Sequence, residues 1–215
     1  MKIADFEFEY QIYIYDNYGI ISNYTSEGDV FIDVGANTGL LSKKIYDTTK
    51  LNKIYLIEPV PYLAEECKRK FKNCENVEIH QLALSNSNKE ETMYVSHWNL
   101  GYNKIFKEGM EIHPHDELKI NCITFSDWVL LNKINKIDFI KIDAEGHDIE
   151  IVEGMFKWLD SIENKPYILF EGNWYIKEER ALITEMKNLY NYDCETFGRD
   201  ILLIPNNKKV IKNMI

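Results

Sequence analysis

No apolar run in these 215 residues approaches the roughly 20 needed to span a bilayer, so no membrane insertion is expected. The opening stretch MKIADFEFEY has neither the basic nor the apolar region of a secretory signal, which predicts a cytoplasmic protein. Cys67, Cys74, Cys122 and Cys194 form no CxxC pair and no zinc spacing, so reduced and mostly buried thiols are expected. Without a secretory route, the sequon Asn23-Tyr24-Thr25 carries no meaning. Basic surplus is missing too: the formal charge is −10, which disfavours nucleic acid as a partner because phosphate binding draws on a positive surface. Internal repeats, low-complexity tracts and linkers are absent.

What is present suits one globular domain over 1–215, with 45% hydrophobic and 13% aromatic residues. Residues 1–24 read as an extension, in which Phe6, Phe8, Tyr10, Ile12 and Ile14 share one face of a strand and residues 16–24 form a short helix. Strands are predicted at Val30 to Val34, Lys53 to Glu58, Asn76 to Leu84, Ile137 to Asp143 and Tyr167 to Glu171. Helices are predicted from Leu40, from Pro61, from Ser126 with that serine as N-cap, over Asp148 to Leu159, and over Lys177 to Tyr190 with Ala181, Leu182, Met186 and Leu189 inward. Tyr192 to Phe197 and Ile201 to Ile204 flank Gly198-Arg199-Asp200 as a terminal hairpin. The alternation predicts a parallel sheet covered on both faces. Residues 91–124 break it and read as a hairpin or flap inserted on the ligand-facing side.

In such a sheet ligands bind outside the carboxyl ends of the strands. Those ends carry Asp33-Val34-Gly35, Glu58-Pro59, Ala83-Leu84-Ser85, Asp143-Ala144-Glu145-Gly146 and Glu171-Gly172-Asn173. The turn Gly35-Ala36-Asn37-Thr38-Gly39 allows close backbone approach and is expected to aim free N–H groups at a small molecule. Glu58, about 20 residues past that turn, is placed to accept hydrogen bonds from both hydroxyls of a ribose. The turn lacks the middle glycine of GxGxxG, and no GxxxxGK[ST] loop occurs. Asp33 beside the cradle would repel phosphates and suit the charges of S-adenosylmethionine, which is favoured over NAD and ATP.

FIDVGANTG, LIEPVP, LALSN, IDFIKIDAEGHDIEIVEGM and ILFEG, in that order, resemble the FkbM family of S-adenosylmethionine-dependent methyltransferases over roughly residues 25 to 175. The resemblance implies a Rossmann-like class I methyltransferase fold: α/β, with a central seven-stranded mostly parallel sheet and an antiparallel C-terminal strand pair. It implies methyl transfer to a hydroxyl, frequently on a sugar. By position, Asp33, Gly35, Ala36, Asn37 and Gly39 would hold the methionine part, Glu58 and Pro59 the ribose end, and Ala83 and Leu84 the adenine edge, with Asp143 facing the donor. His147 and Asp148 stand where the family often has Ala and Glu.

The acceptor hydroxyl must be aligned and deprotonated, which leaves two solutions. Asp143, Glu145 or His147 is a general base, with histidine nearest the working pH; or Asp143, Glu171 and Asn173 hold Mg²⁺, which acidifies the acceptor, as in catechol methyltransferases. A capping role for the acids of the 143–146 turn competes with both. His97, Trp98 and Asn99 in the flap, with Tyr102, His113 and His115, offer aromatic faces and donors for a sugar ring, and Trp174 with Tyr175 follows the fifth strand. The expected acceptor is a carbohydrate, on a glycan or sugar nucleotide. A protein or small-metabolite acceptor, or a non-catalytic nucleoside-binding module, are the alternatives.

Overall fold

The computed structural model describes residues 17–96, 102–107, 115–172 and 176–208. Two parallel βα steps and a third strand begin the sheet. β1 (Val30–Val34) leads through the glycine turn into α1 (Leu40–Thr48), β2 (Lys53–Ile57) into α2 (Pro61–Lys70), and β3 (Val77–His80) follows. Pro61 occupies the first turn of α2, where its missing N–H costs nothing.

The chain then leaves this sheet. β4 (Ala83–Ser85), β5 (Lys89–Ser96), β6 (Lys104–Ile105) and β7 (His115–Thr124) make a second, four-stranded sheet in the order β4-β7-β5-β6. The expected single strand from Asn76 to Leu84 is therefore two strands in two sheets. His80 is the last residue held to β2, its carbonyl accepting the Glu58 N–H at 3.1 Å, and Ala83 to Ser85 pair instead with Cys122 to Thr124. The insertion at 91–124 is the body of this second sheet, with β5 and β7 antiparallel over Lys89 to Ser96.

The main sheet resumes after α3 (Phe125–Leu131). Here Thr124 is the N-cap, accepting the Asp127 N–H at 3.1 Å; Ser126 binds the Gly154 carbonyl at 2.7 Å instead. β8 (Phe139–Ile142) is followed by α4 (Asp148–Glu153) and α5 (Phe156–Ser161), two helices where one was expected. Gly154 lies so close to β4 that a Cβ there would stand 2.1 Å from the Ser85 carbonyl oxygen, and the Gly154 carbonyl receives both the N–H and the hydroxyl of Ser126. Those contacts, made by residues distant in sequence, interrupt the helix. β9 (Tyr167–Glu171), α6 (Lys177–Tyr190), β10 (Tyr192–Phe197) and β11 (Asp200–Pro205) complete the order β10-β11-β9-β8-β1-β2-β3, with β11 antiparallel to both neighbours.

Parallel strands buried on both faces read as largely apolar runs, and β1 and β8 do so except at Asp33 and Lys141. Phe31, Ile54, Leu56 and Phe139 face α1 and α2, while Ile32, Ile57, Ile140 and Phe170 face α3 to α6. The inner face of α6 is Leu182, Ile183, Met186 and Tyr190; Ala181 and Leu189 of the expected stripe are exposed, Leu189 at 68%. A third cluster, including Val60, Leu63, Met93, Ile105 and Ile120, joins the second sheet to α2.

Gly154→Ala is expected to force β4 and α4 apart and to lower unfolding stability by about 2 kcal/mol or more. Thr124→Ala should lose only the cap, about 1 kcal/mol. Urea titration of both variants reads the difference, and equal losses would contradict the packing described.

Candidate functional site

The carboxyl ends of β1 and β8 are joined by one buried cation. Parallel register sets Asp33 directly across from Lys141, and the side chains of both are buried, at 1% and 4% exposed. The Lys141 ammonium stands 3.0 Å from Asp33 and 3.6 Å from Asp143, and donates to the Gly35 carbonyl at 3.3 Å. Burial opposes its charge, but Asp33 and Asp143 outweigh that and hold its pKa above the ordinary lysine value. Asp33 also accepts the Ser42 hydroxyl at 2.7 Å. It is thus an internal strut of the turn, not the anion facing a ligand that the sequence suggested.

The turn itself is closed as well. Gly35 and Ala36 donate to the Ile57 carbonyl at 2.9 and 3.1 Å, Asn37 to a Glu58 oxygen at 2.8 Å, Thr38 to the Asn37 side chain at 2.8 Å, and Gly39 to the Ala36 carbonyl at 2.8 Å. The expected free N–H groups are all used, those of Gly35, Ala36 and Asn37 on Ile57 and Glu58 and those of Thr38 and Gly39 within the turn. Gly35 is required because its φ is +73° and a Cβ would lie 1.9 Å from the Asp143 carbonyl oxygen. A side chain at Gly39, the N-terminal residue before α1, would meet Cys67 and Phe71, so that glycine serves helix packing.

Between the two sheets lies a hollow of about 640 Å³, its open mouth included. Gly35, Asn37, Glu58, Pro59, Ala83, Leu84, Asp143, Glu145 and His147 line it, nine of the positions singled out from sequence. Asp33, Ala36, Gly39 and Glu171 do not. Leu82, Met93 and Ile105 give it an apolar wall, and Asn103 a polar one, so the second sheet closes the side that the first leaves open. Glu58 is only 4% exposed; its two oxygens accept the N–H groups of Asn37 and Val60 at 2.8 and 2.9 Å. Each oxygen keeps a second lone pair for a ligand hydroxyl. Burial pushes its pKa up to about 7 against those two bonds.

A wider groove, about 1,880 Å³ including its open mouth, adjoins this hollow, and Glu145 lines both. Glu145 holds a left-handed backbone, φ +51°, which a side chain adopts only at a cost and which often marks functional turns. Burial and the nearby Asp143 raise its pKa to about 8, opposed by Lys104, whose ammonium is 3.9 Å away. His147 is sited differently. It is buried, its Nε2 is 3.0 Å from the Ser85 hydroxyl, its Nδ1 is 3.7 Å from Glu150, and burial keeps its pKa below the ordinary histidine value. Lys107 reaches from beyond β6 to the Gly146 carbonyl and to Glu150, both at 2.7 Å, and clasps the second sheet onto the 143–146 turn.

Two of the three expected metal ligands, Asp143 and Glu171, face cations. Asp143 faces Lys141, and Glu171 is paired with Arg199. Among the described residues no group of three His, Cys, Asp or Glu side chains is placed to hold a metal ion. His97, Trp98, Asn99, His113, Asn173, Trp174 and Tyr175, and the strand expected before residue 16, lie outside the described residues. His115 stacks on Tyr94, with centroids 3.9 Å apart. Lys141 was the main residue that sequence reasoning passed over. A lysine inside IDFIKID, a strand otherwise apolar on both faces, was itself the signal that a buried carboxylate stood beside it.

Glu58, Glu145, Asp148 and Asp200 have pKa values raised to about 7, 8, 7 and 6, each first through burial. An acid whose folded pKa exceeds its unfolded value binds more protons when folded, so it loses stability as pH rises through that window. The thermal midpoint of the ligand-free protein should therefore fall between pH 5 and pH 8, and a rise over that interval in a buffer series would contradict the burial of these groups.

The comparisons agree with this geometry. The chain resembles the FkbM methyltransferase of Methylobacillus flagellatus KT at 15% identity and TM-score 0.55, over 83% of this chain and 44% of that one, so it spans less than half of that protein's length. It also resembles Aeropyrum pernix fibrillarin, solved with S-adenosyl-L-methionine, at 10% identity and TM-score 0.52, over 83% and 67% of the two chains. An rRNA methylase from Streptococcus thermophilus matches at 10% identity and TM-score 0.50, over 88% and 93%. At such identities these neighbours show a shared fold, that of Rossmann-like class I methyltransferases. Among curated proteins none matches in sequence. The model of the methyltransferase FkbM domain matches residues 33–198, from the acid that Lys141 holds to the tip of the last hairpin, and the chain belongs to that family.

Proposed function

We propose that the protein is a cytoplasmic S-adenosylmethionine-dependent O-methyltransferase acting on a sugar hydroxyl. The observation that carries this reading is the meeting of two hollows at Glu145. The inner one fits an adenosyl group: Glu58 for the ribose hydroxyls, Pro59, Leu82, Ala83 and Leu84 for a flat apolar ring, and the acids Asp143 and Glu145 at the end where positive charge would lie. When bound, the cofactor supplies an activated methyl group. The protein's own tasks are to orient the acceptor, keep water away and take the hydroxyl proton.

Glu145 is the group we assign to that proton. It borders both hollows, and a pKa near 8 makes it a better base than an ordinary carboxylate. His147 lines only the inner hollow and is engaged with Ser85, which makes it a support of the turn. The pairing of Asp143 with Lys141 and of Glu171 with Arg199 fits this assignment better than a Mg²⁺ site. No helix among the described residues is long and apolar enough to cross a membrane.

Glu58→Ala should weaken S-adenosylhomocysteine binding by about 1–3 kcal/mol, the worth of a charge-assisted hydrogen bond, as read by calorimetry. Unchanged affinity would remove the ribose role. Glu145→Gln should lower kcat with a sugar acceptor by about 10²–10⁴. In the parent enzyme kcat/KM for S-adenosylmethionine should rise with pH to a midpoint near 8, because only the deprotonated carboxylate accepts the proton. A flat profile, or full turnover by the variant, would assign the proton elsewhere.

A further inference from the structure

The groove outside Glu145 contains a carboxylate that makes no ion pair among the described residues. Asp148 opens α4, is 4% exposed and lines the groove. Its Oδ2 accepts the Gly146 N–H at 3.3 Å, whereas its Oδ1 is buried with no hydrogen-bond partner among the described residues. The neighbouring acids are matched: Lys104 stands 3.9 Å from Glu145, and Arg199 pairs with Glu171. Among the described residues no Lys, Arg or His nitrogen comes within 4.0 Å of the Asp148 carboxylate.

A buried carboxylate is costly unless it is protonated or paired. Burial, with Asp143 and Glu171 nearby, raises the pKa of Asp148 to about 7, so near neutrality it is divided between the two forms. A ligand bringing a donor with positive charge would settle it as the anion. Asp148 lines the groove and not the inner hollow, so that donor belongs to the acceptor.

We propose that the acceptor carries a protonated amine as well as the methylated hydroxyl, with the ammonium on the groove side of the Asp148 carboxylate and the hydroxyl beside Glu145. This rests on the reading of the site as a methyltransferase. Within the sugar class it selects amino sugars. It disfavours uronic acids and sugar nucleotides, whose added negative charge would meet Asp148 and Glu145.

Calorimetry on the full chain saturated with S-adenosylhomocysteine, using glucosamine, glucose and glucuronate at pH 7, tests it. Glucosamine should bind about tenfold or more tightly than glucose, the effect of one charge-assisted hydrogen bond, and glucuronate should bind least. In Asp148→Asn, which keeps an oxygen for the Gly146 N–H, that preference should vanish while S-adenosylhomocysteine affinity stays within about twofold. Equal binding of glucosamine and glucose, no sugar binding at all, tighter glucuronate, or a preference that survives in the variant would each overturn the proposal. Cofactor affinity that falls as far as glucosamine affinity would return Asp148 to the inner hollow and overturn it too. Failure of the parent protein to bind S-adenosylhomocysteine would instead remove the methyltransferase reading beneath it.

Discussion

One lysine ammonium shut inside the sheet is the constraint on which the site depends. Lys141 touches an acid on β1, a carbonyl in the glycine turn and an acid just past β8. Removing either kind of charge from such a group leaves the other buried and unpaired, which is the strongly destabilising case. The turn therefore has one permitted position relative to Asp143, and Gly35 is the residue that lets the two backbones approach that closely. What first reads as a ligand cradle is also a rigid internal joint, whose Gly35 and Asn37 line the hollow beside Glu58, Asp143 and Glu145.

The second sheet gives this joint its pocket. A doubly wound sheet leaves the space beyond its carboxyl ends open to water; here β5 and β6 place Met93 and Ile105 over it, and Lys107 fastens that wall to the turn after β8. Enclosure lowers the local dielectric and strengthens every charge inside. It also explains why so many carboxylates at the strand ends titrate high: they are buried together with too few cations, an arrangement suited to a positively charged guest. The stability given up at those groups is recovered when such a guest binds, so cofactor binding and pH sensitivity have one cause.

Much of this was legible in the residues. The alternation of apolar strands and amphipathic helices determines the parallel sheet, and four of the five strand-end motifs locate the hollow, because strand ends converge in any such fold. Less visible was anything decided by contacts between segments far apart in sequence. The break between α4 and α5 follows from Gly154 pressing on β4, and the division of residues 76–84 between two sheets follows from partners some 40 residues away in β7. Asp33 illustrates the same limit. Its type and place were right for a ligand-facing anion, and only the register opposite Lys141 shows that its charge is already taken. Glu145 could be named from its strand end, but not its position on the border of both hollows, which His147 does not share.

The central claim is that adenosine lies between the two sheets with its reactive end at Glu145. A crystal structure of the protein with S-adenosylhomocysteine tests it most directly. The account predicts ribose hydroxyls on the Glu58 carboxylate, the purine against Ala83 and Leu84, and the sulfur turned toward the groove that Glu145 borders. A nucleoside bound elsewhere, or with its sulfur turned away from Glu145, would contradict it.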